Sequence, residues 1–471
     1  MSDSSPLAKL SDDELVYIME RLPAEDRMRV EFVNKRWAYL ARHRSWTKFT
    51  SLTSLNFRWM TAAMRDGTRE IDEESQIVFK QKLIDLFIRC APYLKTIELD
   101  EFFWKSEVMC DLLPILPNLV HLKLAILNLS RERLHGYRES FSNLITLIAK
   151  RMVIDSIDDV SNALRLCDRL ELLSISTEHE SQTYPIERLP PNLKCLYLYE
   201  GFDPVNVLDV VAKQGIQLSV LSLSFDEMTD EILKALMSID RSRLNFLMVY
   251  FEDESRPHIE HLFEWLPRHL QALSLEMIRP PGRRMLRKML SALLKKHLPT
   301  LEHIKIGDMS QLMLEDKESQ ELFMRYATVA SNLRSIYLST TMNAATIPLI
   351  NDVLSRLSSH GKLEYIETDA NLPMDVVASI LKSCKKLRTI AWCCNHVDFT
   401  YLHQIVDDVR QREPLPATPD DERILNVRLG LNDNLDVAPE HPWIKYHSNI
   451  PESPIVHKIR YSALSSRPYV I

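Results

Sequence analysis

Glycine is scarce in this chain, with eight in 471 residues. Neither Gly-x-Gly-x-x-Gly nor a P-loop occurs, so a dinucleotide crevice and a nucleotide-phosphate loop are both excluded. Cysteines are few and scattered: Cys90, Cys110, Cys167, Cys195, Cys384, Cys393 and Cys394. Their odd number and the lack of any Cys-x-x-Cys pair point to a reducing compartment. They argue against a disulfide framework and against a cysteine-rich zinc site. There is no His-Glu-x-x-His and no Gly-x-Ser-x-Gly. His258 and His261 lie three apart, but no further ligands complete a metal set, and they read as surface histidines. No catalytic residue, metal or cofactor is therefore expected. A basic excess is also missing: 58 Lys and Arg against 65 Asp and Glu give a net charge of -7. Such a chain is not expected to bind nucleic acid in general, because phosphate neutralisation needs positive charge. The start has no apolar signal core, and the most apolar stretch, Leu112 to Leu129, is broken by His121 and Lys123. No membrane segment is expected, and the chain reads as soluble in the cytoplasm, the nucleus or both.

What the sequence does have is a repeat. Apolar residues recur with two residues and then one between them: Leu94-Ile97-Leu99, Leu119-Leu122-Leu124, Leu144-Leu147-Ala149, Leu170-Leu173-Ile175, Leu193-Leu196-Leu198, Leu218-Leu221-Leu223, Leu244-Leu247-Val249 and Leu270-Leu273-Leu275. Weaker copies start at Leu301, Leu333, Leu363, Leu387 and Ile424. The first eight copies begin 23 to 26 residues apart, which is the period of leucine-rich repeats. The alternating part reads as a short strand with its apolar side chains facing inward. Helical stripes lie between copies: Ile77, Leu83, Ile84, Phe87 and Ile88, and later Met285, Leu286, Met289, Leu290, Leu293 and Leu294. The expected architecture is α/β, a solenoid over 77–432 with a concave parallel sheet and convex helices. The asparagine that commonly follows the motif in such repeats occurs only in the last two copies, as Asn395 and Asn432. Residues 51–76 read as a linker, and 433–471 as a proline-containing tail.

Residues 10–50 read as three short helices. Ser11 and Glu14 form a capping box. Leu15, Ile18 and Leu22 then share a helical face, and Pro23 ends that helix. Val30, Val33, Trp37 and Leu40 make a second stripe. About forty residues cannot bury that much apolar surface against themselves, so a partner protein is implied. The run Leu10-Ser-Asp-Asp-Glu-Leu15, Ile18, Leu22-Pro23, Asp26, Val33-Asn-Lys-Arg-Trp37 and Leu40 resembles an F-box. With the repeats, the chain resembles the F-box/leucine-rich-repeat family. That resemblance implies docking on a Skp-type adaptor, and through it on cullin and RING subunits, with Leu10, Leu15, Ile18, Leu22, Pro23, Val33 and Trp37 at the adaptor interface. It also implies a non-catalytic subunit that captures a protein substrate for ubiquitination. Ser11 stands where the family often has proline, and Arg27 where it often has leucine. The alternative is a repeat scaffold without a degradation role, its N-terminal helices serving as a solenoid cap.

Between and just after the strand anchors the residues turn aromatic: Tyr197, Tyr199, Phe225, Phe246, Tyr250, Phe251, Tyr337 and Tyr365. Aromatic residues dominate binding hot spots, so these form the expected substrate surface. Those with a purely apolar ring, Phe246 and Phe251 above all, could instead tuck into strand-to-helix corners. Arg279 to His297 is basic and reads as a solvated helix in preference to a phosphate site.

Overall fold

The computed structural model describes residues 9–53, 73–99, 106–177, 183–199, 201–253, 259–277, 283–297, 300–306, 316–338, 347–393, 398–411, 425–429 and 441–447. Two compact units divide the chain, residues 1–216 and 217–471. In the first unit, three helices, α1 (Asp12–Glu20), α2 (Ala24–Arg29) and α3 (Lys35–His43), precede a strand, β1 (Ser51–Thr53). The helix α4 (Glu73–Cys90) follows. Then come β2 (Thr96–Glu98), β3 (His121–Asn128), β4 (Thr146–Val153), β5 (Leu172–Thr177) and β6 (Cys195–Leu198). These six strands pair in parallel and in chain order. The second unit repeats the arrangement with nine strands among its described residues. They are β7 (Val220–Glu227), β8 (Phe246–Asp253), β9 (Ala272–Met277), β10 (His303–Ile306), β11 (Ser335–Leu338), β12 (Tyr365–Asn371), β13 (Thr389–Cys393), β14 (Leu425–Leu429) and β15 (Ile444–His447). Here too each strand pairs in parallel with its sequence neighbours.

Each of the thirteen sequence motifs carries a strand. The middle anchors of the motif stack across the ladder: Ile97 faces Leu122, Leu122 faces Leu147, and Leu147 faces Leu173. All four are at most 2% exposed. Register passes from strand to strand through a shared acceptor. The amides of Lys95 and Thr96 both donate to the Thr50 carbonyl, those of Val120 and His121 to Lys95, those of Ile145 and Thr146 to Val120, and those of Glu171 and Leu172 to Ile145. The helix stripes are also largely buried, with Leu83, Leu86, Phe87 and Cys90 inside on α4 and Leu286, Met289, Leu290 and Leu293 inside on the later helix. Ile88, expected in the first stripe, is 63% exposed instead. A helical stripe spans only part of the circumference, and Ile88 lies beyond its edge.

Two further readings need correction. The stretch read as a linker begins with strand β1, and the repeat region opens with α4, which starts at Glu73 and not at residue 77. The stretch read as a tail contains β15. Neither added strand carries the leucine triad. The missing asparagine, by contrast, is no misreading, and a different asparagine stands one residue ahead of the first anchor in copies such as those of Asn118, Asn143 and Asn192. Asn118 donates to the Pro92 carbonyl (2.8 Å), Asn143 to Pro117 (3.1 Å) and Asn192 to Asp168 (3.0 Å). Each therefore ties a turn to the turn of the repeat before it. Asn395 and Asn432 lie outside the described residues. Glycine is used where geometry demands it. At Gly201, with φ of +87°, a Cβ would lie 1.7 Å from Thr177 Oγ1, so no other residue fits there.

Candidate functional site

The N-terminal helices start where the sequence says. Glu14 N donates to Ser11 Oγ (3.3 Å), and Ser11 N donates to Glu14 Oε2 (2.8 Å), closing the capping box on α1. Asn34 caps α3 by accepting from Trp37 N (2.9 Å). Helices α1 and α3 meet through Leu15, Met19, Leu40 and Ala41, with Leu10, Val16, Val30 and Trp37 packed around them. Ion pairs then close the outside: Arg36 with Asp12, Arg44 with Asp13 and Lys48 with Glu20, at 2.7, 2.7 and 2.8 Å.

Two charged side chains lie inside this small module. Arg27, 4% exposed, sits over the Trp46 ring. It donates to the carbonyls of Ser45 (2.8 Å), Glu20 (2.6 Å) and Leu22 (3.1 Å). It therefore staples the end of α1 to the segment after α3, and burial lowers its pKa. A leucine there could fill the space but not satisfy those carbonyls. Arg27 is an internal brace and takes no part in the outer surface. Glu31 accepts from Arg89 Nε (2.5 Å), Arg89 Nη2 (2.8 Å) and Arg42 Nε (2.7 Å). Burial opposes its ionisation, but the hydrogen bonds from Arg89 and Arg42 outweigh that and hold the carboxyl below its ordinary pKa. Because Arg89 belongs to α4, this network fastens the helical module to the first repeat helix. Beside it, burial pushes the Cys90 thiol up to about 12, so it is not a nucleophile.

The outer surface is apolar in places. Phe32 is 85% exposed, Tyr39 61%, Tyr17 53%, Val33 41% and Ile18 40%. Free-standing side chains of this size on forty residues mark a contact surface. Residues 7–48 match the F-box domain family. F-box domains generally bind Skp-type adaptors. None of the curated proteins matches the chain.

Of the seven residues expected at the F-box interface, Ile18, Val33 and Pro23 are exposed, while Leu10, Leu22 and Trp37 are half-buried. Leu15 is a correction: it is fully buried and belongs to the F-box core. Its spacing to Ile18 and Leu22 gave it a shared stripe, but the inner edge of that stripe packs on Leu40. Phe32 was missed because it falls outside both helical stripes, in the short 3₁₀ turn Val30–Phe32.

The aromatic set divides between the two units. On β6, Tyr197 is fully buried, and on β12 Tyr365 is 5% exposed and donates to Glu367 Oε2. These two are corrections to the expected open surface. The residues opposite the leucine anchors are themselves closely packed, with Ser174, which faces Tyr197 across the ladder, 3% exposed. Tyr199, Phe246 and Tyr337 are half-buried, and Tyr250 is 36% exposed. Strand alternation puts Phe225 on the anchor side of β7, where it is half-buried. Phe251 lies on β8 facing Phe225 in register, its side chain outside the described part. In the second unit, the Lys305 ammonium lies 4.6 Å from the centre of the Tyr337 ring. The basic helix is partly neutralised from within: Arg287 pairs with Asp316 and Glu318. That ion pair and Ser319 hold the Asp316 carboxyl far below its ordinary value. His261 faces Glu264 at 3.6 Å, and His258 lies outside the described residues. Among the described residues no cluster could hold a metal ion, and no helix is long and apolar enough to cross a membrane.

Proposed function

We propose that the chain is the substrate-recognition subunit of an SCF-type cullin–RING ubiquitin ligase. The carrying observation is the F-box match at 7–48 on a folded module that exposes Phe32, Val33 and Ile18. These residues would dock on a Skp-type adaptor, which leads to cullin and RING subunits. The stacked parallel strands and their 23- to 26-residue spacing favour a leucine-rich-repeat solenoid as the substrate platform. Ubiquitin chemistry belongs to the partners in this reading. Five buried free cysteines among the described residues fit a reducing cytoplasm or nucleus. On the second unit, Tyr250, Phe246 and Tyr337, on the strand side opposite the leucine anchors, would contact a protein substrate.

The test is co-purification of the full chain with a Skp-type adaptor. Phe32→Asp with Val33→Asp should reduce recovered adaptor at least tenfold, while thermal unfolding of the chain stays within a few degrees of wild type. Equal adaptor recovery from the two proteins sinks the ligase reading and leaves the helices as a cap on a binding scaffold.

A further inference from the structure

In several repeats the residue just ahead of the first leucine reaches back to the turn of the repeat before it. Asn118, Asn143 and Asn192 do so by donating to backbone carbonyls. In the second unit Lys362 holds this place and donates to Asn332 Oδ1 (2.7 Å), which stands at the same place one repeat earlier. At the next repeat the place falls to Lys386, and the residue behind it is now a lysine. Backbone bonds fix the alignment. The Arg388 and Thr389 amides both donate to the Glu364 carbonyl, and Thr389 faces Tyr365 across the ladder. Arg388 therefore lies beside Glu364, and Lys386 beside Lys362. Like charges placed directly opposite each other are destabilising.

Lys386 does not stand alone. Lys385 precedes it, Arg388 follows two residues on, and all three are exposed, as is Lys362. Lys385, Lys386 and Arg388 pair with no carboxylate among the described residues. The carboxylate next along the row, Glu364, is engaged by Arg334 at 3.4 Å. Two adjacent turns, about 4.8 Å apart at their strands, thus present four cations. The preceding helix, Met374–Ser383, accounts for a different lysine: Lys382 lies in its last turn and complements the helix dipole. A nuclear-import signal would need this basic run drawn out, and Leu387 within it is a fully buried anchor.

We propose that this patch docks an acidic segment of a partner protein, its carboxylates lying across Lys362 and Lys386 with Lys385 and Arg388 on the flanks. Charge complementarity carries the choice of partner. Three of the four cations are lysines, which act as point charges, whereas bidentate recognition of phosphate favours arginine. A nucleic acid is disfavoured by extent. Its binding rests on a track of many phosphate contacts, and this patch spans two turns in a chain of net charge -7. The patch belongs to the second unit alone, so the inference holds whether or not the F-box binds an adaptor.

The experiment is fluorescence polarisation on the full-length chain, with a labelled poly-L-glutamate peptide as probe and labelled duplex DNA for comparison. Lys385→Gln with Lys386→Gln is compared with Lys213→Gln with Lys234→Gln, an exposed pair that removes the same charge elsewhere. Circular dichroism checks that each variant is folded. The glutamate peptide should bind the wild type, and more weakly as salt rises. The patch variant should bind it about fivefold more weakly, while the control pair is unchanged. The proposal is overturned if the glutamate peptide does not bind, or if the patch variant binds it as the wild type does. It is equally overturned if duplex DNA binds more tightly than the peptide and loses that binding in the patch variant. Binding of the peptide that appears only after Asp420→Asn, Asp421→Asn and Glu422→Gln would make the chain's own acidic run the occupant, and it too overturns the proposal.

Discussion

In the strand repeats the interior is aliphatic, and every described anchor from Leu119 to Leu275 is at most 3% exposed. In the F-box the interior includes an arginine and a glutamate, and several large apolar side chains face outward. Size explains the difference. Each repeat gains a neighbour that covers its open face, so a stack can bury a continuous core. A module of about forty residues has no such supply and braces itself with charge-assisted hydrogen bonds while its apolar surface waits for another molecule. The F-box therefore adds a few specific polar contacts to a small apolar core, whereas the ladder relies on many interchangeable apolar ones.

The sharpest way to break that comparison is Arg89→Met. Removing one partner of a buried ion pair costs about 3–5 kcal/mol, and here Arg42 alone would remain on Glu31. Urea unfolding should show the loss, and adding Glu31→Leu should recover most of it. A loss below about 1 kcal/mol would mean that apolar packing, not the carboxylate, holds the F-box to α4. Next comes Leu247→Ala in the ladder, which should cost about 3 kcal/mol from lost transfer energy and the cavity left behind. Hydrogen exchange should rise in β7, β8 and β9 but not in β12. Uniform loss of protection throughout the second unit would show that its repeats do not behave as neighbour-coupled units.

The smallest effect is a pH dependence at the end of the second unit. His403 stacks on His441, ring centres 4.4 Å apart, and Asp407 lies 3.3 Å from His441. Burial and the neighbouring His441 lower the His403 pKa, partly countered by Asp407. A histidine with a depressed folded pKa contributes stability that is fully present above its unfolded value of about 6.5 and is lost as pH falls below it. Protection of the β14 and β15 amides, measured against their intrinsic exchange rates, should therefore fall as pH drops below about 6.5, and His403→Gln should remove that dependence. An unchanged profile in the variant would shift the cause to another group.

The ladder was legible because its signal is spacing: Leu196 and Leu198 share one face of a strand, Leu193 lies just ahead of it, and a strand repeated in this way must stack. β1 and β15 escaped because Leu52 and Ile444 are single anchors without the triad. The F-box outline was legible from Ser11, Leu22-Pro23 and Trp37, but its surface was read less well. Helical spacing says which residues share a stripe, not which edge of the stripe lies against a neighbour, so Leu15 was placed outside and Phe32 was overlooked. Tyr197 and Tyr365 were misplaced for a related reason. Alternation assigns a side of the sheet, while burial depends on the size of what stands on adjacent strands. The Arg27 brace and the Glu31 network had no sequence signal at all, since their partners are backbone carbonyls and residues up to 58 positions away.

Within each unit the strands pair only with the strands before and after them in the chain. Drawn out by its ends, such an assembly offers the pulling force one short parallel ladder at a time, each with nearly the same few hydrogen bonds and leucines. Resistance would come as a series of similar small steps, each releasing 23 to 37 residues of slack, with no single clamp whose failure frees the whole unit. A machine that threads polypeptides would take this chain apart as a hand opens a zip fastener, from whichever end it grips.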